Sequence, residues 1–139
     1  MYLTKLNNKI FRASQGYFDK VLKEYDLSSG SYPYLLTLRE NEGISQNKIS
    51  KELGHDKAMS ARTITKLIKL GYLHKKEDEA DARAYKLYLT EKAKVAIPKI
   101  LEEIHKLVNL ITKDLSEEEK AITINSLNKI LNNIKALKL

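Results

Sequence analysis

Residues 57–70 contain Lys57, Arg62, Lys66 and Lys69 and neither an aspartate nor a glutamate. The spacing of Ala58, Ala61, Ile64, Leu67 and Ile68 is helical and turns those side chains inward, leaving Lys57, Met59, Ser60, Arg62, Thr63 and Lys66 outward. A helix face that is small, polar or basic and free of acid can enter the major groove of a duplex and set its cations against phosphate. On this reading Met59, Ser60 and Thr63 are candidates for base-edge or thymine-methyl contacts, and Lys57, Arg62 and Lys66 for phosphate or guanine. Just upstream, Ser45, Gln46 and Lys48 open a shorter helix and are candidates for holding the sugar-phosphate backbone. Further along, Arg83 follows the acids Glu77, Asp78, Glu79 and Asp81, which repel a phosphate backbone unless the arginine itself projects beyond them. A lone arginine suits a narrow, electronegative minor groove, with Asp81 placed to brace its guanidinium; the plain alternative is an exposed ion pair worth ~0–1 kcal/mol.

No other constellation competes. There is no nucleophile with a base and an orienting partner, no glycine-rich phosphate loop and no metal-ligand spacing, so no catalytic residue, metal ligand or cofactor is assigned and an enzyme is not expected. His55, His74 and His105 are far apart and fall on a turn, a strand and a helix. The absence of cysteine removes disulfides, thiolate zinc sites and thiol redox sensing.

The elements that would position these residues follow from periodicity. Leu3, Leu6, Ile10, Ala13, Tyr17 and Val21 form one stripe on a first helix reaching Tyr25. After the turn formers of 26–31, a second short helix runs through Tyr34, Leu35 and Leu38, with Pro33 tolerable only in its first turn. Ser45 caps a helix of barely two turns, with Ile49 and Leu53, ending at Gly54. Asp56 caps the basic helix, which Gly71 stops. Short helix, tight turn, longer helix is the helix-turn-helix pattern. The period then changes to two: residues 72–76 and 85–90 read as strands joined by a charged loop with an open geometry and a mobile tip, a hairpin wing. From Glu91 the chain is helical again, with Pro98 near the start and Ile97, Leu101, Ile104, Val108, Ile111 and Leu115 in heptad-like steps. Ser116-Glu117-Glu118-Glu119 is a capping box for a last helix with Leu127, Ile130, Leu131, Ile134 and Leu137 on one face.

The expected fold is mainly α with a small β-hairpin wing: a winged helix-turn-helix over 27–93, flanked by helical dimerisation segments, 1–26 and 94–139, in one structural domain. The winged core supplies its own apolar faces, so the terminal stripes must be covered by each other and by a second copy; a dozen exposed Leu or Ile positions, each worth ~1.5–3 kcal/mol when buried, would otherwise drive aggregation. An intramolecular three-helix bundle is the competing arrangement. With 139 residues there is room for little more than one core. The net charge of +7 favours a polyanionic partner. No apolar run reaches membrane-spanning length, and residues 1–5 lack the pattern of a secretory leader, which points to the cytoplasm and away from a membrane.

These residues together resemble the MarR family of bacterial and archaeal regulators, named for multiple antibiotic resistance. The resemblance rests on the run from Leu27 to Leu35, on Asp56-Lys57 through Ala61-Arg62-Thr63 and Leu67, on Gly71-Tyr72-Leu73, on the wing run from Asp78 to Ala84, and on Leu89-Thr90-Glu91-Lys92-Ala93. It covers about half the chain, and it implies a triangular homodimer joined through its terminal helices, bound to pseudo-palindromic promoter DNA and usually repressing. It further implies that Arg83 enters the minor groove, and that a small aromatic or phenolic anion between the dimerisation and DNA-binding regions releases the DNA. Tyr17, Tyr32, Tyr34 and Tyr72, near the helix junctions, are the candidates for lining that cleft. Three residues depart from the family pattern: Ala82 where a second arginine is frequent, Ala93 where glycine is common, and Ser60 where an aliphatic is usual, which either exposes a new polar contact or loosens the helix. The alternative function is a winged-helix module for protein interaction or for nonspecific architectural binding.

Overall fold

A computed structural model describes residues 2–80 and 84–137 of the chain. The elements run α1 (Leu3–Val21), a single 3₁₀ turn (Lys23–Tyr25), α2 (Tyr32–Glu40), α3 (Gln46–Leu53), α4 (Lys57–Lys69), β1 (Leu73–Glu77), β2 (Tyr85–Leu89), α5 (Glu91–Ile111) and α6 (Glu117–Lys135). The mainly helical fold with one hairpin is the one the periodicity predicts. The chain divides into two compact units between Glu103 and Ile104.

In the first unit the core gathers where α2, α3, α4 and the hairpin meet, around Leu35, Leu38, Ile49, Ile64, Leu67 and Leu87, all essentially without exposure. Pro33 lies in the first turn of α2, where the missing N–H costs nothing. α3 is capped by Ser45, whose Oγ accepts from the Lys48 N–H. It ends at Gly54 in the left-handed conformation, φ 68°, which a side chain would strain. In the hairpin, β1 and β2 pair antiparallel from Leu73 opposite Leu89 to Glu77 opposite Tyr85. Leu87 and Leu89 face the core. A feature not foreseen is an isolated bridge beside the two-stranded hairpin: the Gly43 N–H donates to the Leu87 carbonyl at 2.8 Å, the Leu87 N–H donates to the Ile44 carbonyl, and Ser45 bridges Lys86. The start of the helix-turn-helix is thereby stitched to the wing.

The strands, Leu73–Glu77 and Tyr85–Leu89, lie within one residue of expectation, and two helical features differ from it. The first helix stops at Val21, not Tyr25, because the Leu22 and Leu27 side chains are drawn into the core; the Leu27 N–H reaches back to the Leu22 carbonyl and Asp26 takes a left-handed φ of 57°. Pro98, expected near the start of its helix, is the eighth residue of α5. The helix begins immediately after β2 because Thr90 caps it, its Oγ1 accepting from Ala93 N–H. The N–H that Pro98 lacks is one that would have met the Lys94 carbonyl, on the exposed side of the helix where water can serve.

In the second unit, Ser116 and Glu119 complete the predicted capping box: the Glu119 N–H donates to Ser116 Oγ at 3.1 Å and the Ser116 N–H to Glu119 Oε1 at 3.0 Å. Within the single chain α6 buries none of its residues, and Leu127, Ile130, Leu131 and Ile134 stay between 40% and 58% exposed. In α1 of the first unit, Leu6, Ile10 and Phe11 are likewise more than half exposed. No helix among the described residues is long and apolar enough to cross a membrane.

Candidate nucleic-acid interface

The turn between α3 and α4 is three residues, Gly54, His55 and Asp56, and it fixes where α4 begins. Asp56 Oδ1 accepts from the Met59 N–H at 2.7 Å, satisfying a donor of the first turn and placing a carboxylate at the positive end of the helix dipole. The buried side of α4 is Ser60, Ile64 and Leu67, at i, i+4 and i+7. The exposed side presents Lys57, Ala58, Met59, Arg62, Thr65, Lys66 and Lys69. Four cations and no acid therefore face solvent along thirteen residues.

This geometry keeps Lys57, Met59, Arg62 and Lys66 outward as expected and corrects their neighbours. Ser60, expected to be presented outward as a base contact, is fully buried: its Oγ lies 2.9 Å from the Tyr34 hydroxyl in α2. The small polar side chain takes an inward position because a polar partner across the core satisfies it. Ala58, expected inward, is exposed. Thr63 is half-buried and its hydroxyl donates to the Met59 carbonyl of its own helix at 3.0 Å. Thr65 and Lys69, not singled out from the sequence, stand on the same exposed face as Arg62 and Lys66.

A hollow of 380 Å³ runs between the start of α3, the outer side of α4 and the hairpin; Ser45, Gln46, Thr65, Lys75 and Tyr85 border it. Ser45 and Gln46 thus sit beside the outer side of α4, while Lys48 is exposed on α3 outside this hollow. Two lysines of β1 were missed by sequence reasoning. Lys75 Nζ lies 4.4 Å from the Tyr85 ring centroid and Lys76 Nζ 5.1 Å from that of Tyr88, geometries in which an aromatic face holds a cation at the surface. Lys75 and Tyr85 are diagonal neighbours, Lys75 standing opposite Leu87 and Tyr85 opposite Glu77, a proximity set by the register and not by the alternation alone. Asp81 and Arg83 lie outside the described residues. The loop leading to them opens with the Ala80 N–H donating to Asp78 Oδ1, and the Asp78 N–H pairs with the Ala84 carbonyl across its base.

The four tyrosines proposed for a cleft separate. Tyr34 and Tyr72 belong to the core, 0% and 2% exposed, with hydroxyls already engaged; that of Tyr72 donates to the Tyr25 carbonyl at 2.6 Å. They are therefore not cleft-lining residues: a phenol in this core needs an internal partner, and each has found one. Tyr32 is half-buried against Phe18, and the two line a hollow of 320 Å³ with Phe11, Gln15 and His55. Tyr17 meets Phe18 edge-on and does not line it. Burial holds the Tyr32 and Tyr72 phenols above their ordinary pKa, with Asp26 and Tyr25 adding to the effect at Tyr72. His55 lies in the turn, His74 on β1 stacked on Tyr88, and His105 on α5; no group of three metal-ligating side chains occurs among the described residues.

A capped short helix, a glycine-ended turn, a second helix with an acid-free basic face and a hairpin stitched to them define a DNA-binding winged helix-turn-helix. The MarR family profile matches residues 25–84. The chain is 37% identical over 103 residues to the transcriptional regulator BilQ of Clostridioides difficile, spanning 74% of this chain and 70% of that protein. Its fold superposes with a TM-score of 0.90 on a MarR transcriptional regulator of Methanosarcina mazei, at 29% identity over 98% of this chain and 99% of the other. A similar match, TM-score 0.89 at 29% identity over 94% of this chain and 87% of the other, is to a Listeria monocytogenes MarR family regulator solved in complex with 26mer DNA. The chain belongs to the MarR family of transcriptional regulators.

Proposed function

We propose that this regulator acts in the cytoplasm as a homodimer that binds a pseudo-palindromic promoter site and represses transcription by occupying it. The observation that carries the DNA mode is the exposed face of α4, with Lys57, Arg62, Lys66 and Lys69 and no acid. In this reading the first turns of α4 enter the major groove, with Met59 against base edges or thymine methyls and the cations on phosphate or guanine. Ser45, Gln46, Lys48 and Lys75 hold the backbone, and Arg83, braced by Asp81, reaches the minor groove from the wing. The dimer is supported by the apolar stripes that α1 and α6 each carry, which need a covering surface. Repression requires the least of the molecule, since a dimer seated on two half-sites about 34–36 Å apart excludes other proteins without any further surface. No catalytic step is assigned to any residue.

A small aromatic or phenolic ligand is the proposed releasing signal, and the hollow lined by Phe18 and Tyr32 is its site. A panel of phenolic acids should raise the melting temperature and lower DNA affinity; if neither changes, the ligand reading is withdrawn and the DNA reading stands.

Selection of duplexes from a random library, with wild type and with Arg83→Ala, tests the central reading. Enrichment of a palindrome with half-sites one helical turn apart, weakened in the variant, is the expected result. If no sequence emerges from a folded protein, the molecule is a nonspecific architectural binder or a protein-docking module. Steep, log-linear loss of affinity with salt separates those two.

A further inference from the structure

Three polar side chains meet in the first unit: Tyr34 and Ser60 are buried, and His55 is half-buried beside them. Tyr34 on α2, fully buried, has its hydroxyl 2.8 Å from His55 Nδ1 in the turn and 2.9 Å from Ser60 Oγ on α4. The Tyr34 and His55 rings lie 5.5 Å apart, centroid to centroid, so the hydroxyl is held between two fixed partners. A phenol has one proton: it donates to one neighbour and accepts from the other, and the three groups form one continuous directional chain. No buried side-chain polar atom among the described residues is left without a partner. The chain joins the scaffold helix, the turn and the first half of the recognition helix, three elements whose relative placement decides which side chains of α4 face outward.

Ser60 is the single polar residue on the buried side of α4; Ile64 and Leu67 complete it. Apolar contacts tolerate sliding and small rotations, whereas a hydrogen bond weakens steeply once its length or angle departs from a narrow range. Along a helix each residue turns the face by about 100°, so a modest rotation at Ser60 carries the exposed Met59 and Arg62 off their targets. A bidentate base contact discriminates by about tenfold or more and depends on that aim.

We infer that Tyr34 and His55 are positioning residues for DNA sequence discrimination, holding the rotation and depth of the recognition helix through Ser60. The inference rests on the DNA reading proposed above and deepens it. Neither Tyr34 nor His55 touches DNA in this scheme; they act through α4.

The test uses the full-length protein with the selected duplex and a scrambled duplex of equal length, read by fluorescence anisotropy as the ratio of the two affinities. Tyr34→Phe removes one oxygen and should lower that ratio about tenfold, with scrambled-duplex affinity and its salt slope unchanged. His55→Leu should do the same, and His55→Asn, whose amide occupies the place of Nδ1, should restore discrimination. Ser60→Ala, a change that favours helix, supplies the measurement if Tyr34→Phe does not fold. A merely structural role lowers the melting temperature and leaves the ratio intact, and that outcome overturns the inference. If wild type itself shows no preference between duplexes, it is the DNA reading that fails, and this inference with it.

Discussion

Ser60 and Thr65 show what decides a residue's role on α4. Both are small and polar, and the apolar spacing places serine outside and Ala58 inside. The structure reverses that order because the Tyr34 hydroxyl, 26 residues away in sequence, offers Ser60 a buried partner; nothing local to α4 announces it. The cations are another matter: Arg62 and Lys66 were legible because a long charged side chain has no inward option without a counter-charge. If they meet phosphate, replacing either with alanine should reduce the slope of log affinity against log salt by about 0.9 for each phosphate left without its cation, equally on any sequence. A titration of each variant over several salt concentrations checks this, and an unchanged slope removes that residue from the interface. The buried phenols carry a separate expectation. The folded-state pKa of Tyr72 and of Tyr32 is raised above 10.0, so the protonated form is favoured by folding. The associated stability is fully present below the unfolded value and is lost as pH rises through the folded one. Absorbance of phenolate followed through an alkaline titration should therefore show a late-ionising class coincident with unfolding, reduced in Tyr72→Phe.

At the scale of elements, most of the fold was legible because its boundaries are local chemistry: Ser45, Asp56 and Ser116 each accept the expected cap hydrogen bond. The failures lie where long-range packing overrides local pattern. The end of α1 is set by where Leu22 and Leu27 enter the core, and the bridge at 43–45 forms only because β2 offers an edge to it. Neither partner is near in sequence. The Asp56 cap allows a direct measurement, since its carboxylate is exposed. Asp56→Ala should destabilise the fold by about 1 kcal/mol through the unsatisfied Met59 N–H, and Asp56→Asn, which keeps the acceptor, by much less. Urea unfolding with a constant slope would read the difference; equal loss in both variants would assign the effect to charge and not to the cap.

For the molecule entire, the apolar faces of α1 and α6 pose a question of solubility that one chain does not answer. Leu6, Ile10 and Phe11 on α1 and Leu127, Ile130, Leu131 and Ile134 on α6 are each at least 40% exposed. The helical periodicity made such faces visible in the sequence, but spacing alone does not say which surface covers them, because an intramolecular bundle and an intermolecular one share the same periodicity. If a second copy covers them, the assembly is a dimer. Sedimentation equilibrium at micromolar concentration should then give about 32 kDa, twice the 16.0 kDa chain mass. The double variant Ile130→Glu/Ile134→Glu places two charges on adjacent turns of α6 and should return the mass to that of one chain, because a carboxylate carried into an apolar interface must be desolvated without a partner. If each winged unit grips one half-site, DNA affinity should fall with it, because the advantage of a second, linked binding event disappears. The capped winged core should keep its cooperative unfolding if α6 stabilises the assembly and not the fold of the first unit. A wild-type mass of one chain would send the apolar faces back to an intramolecular partner and take the paired half-sites away with the dimer.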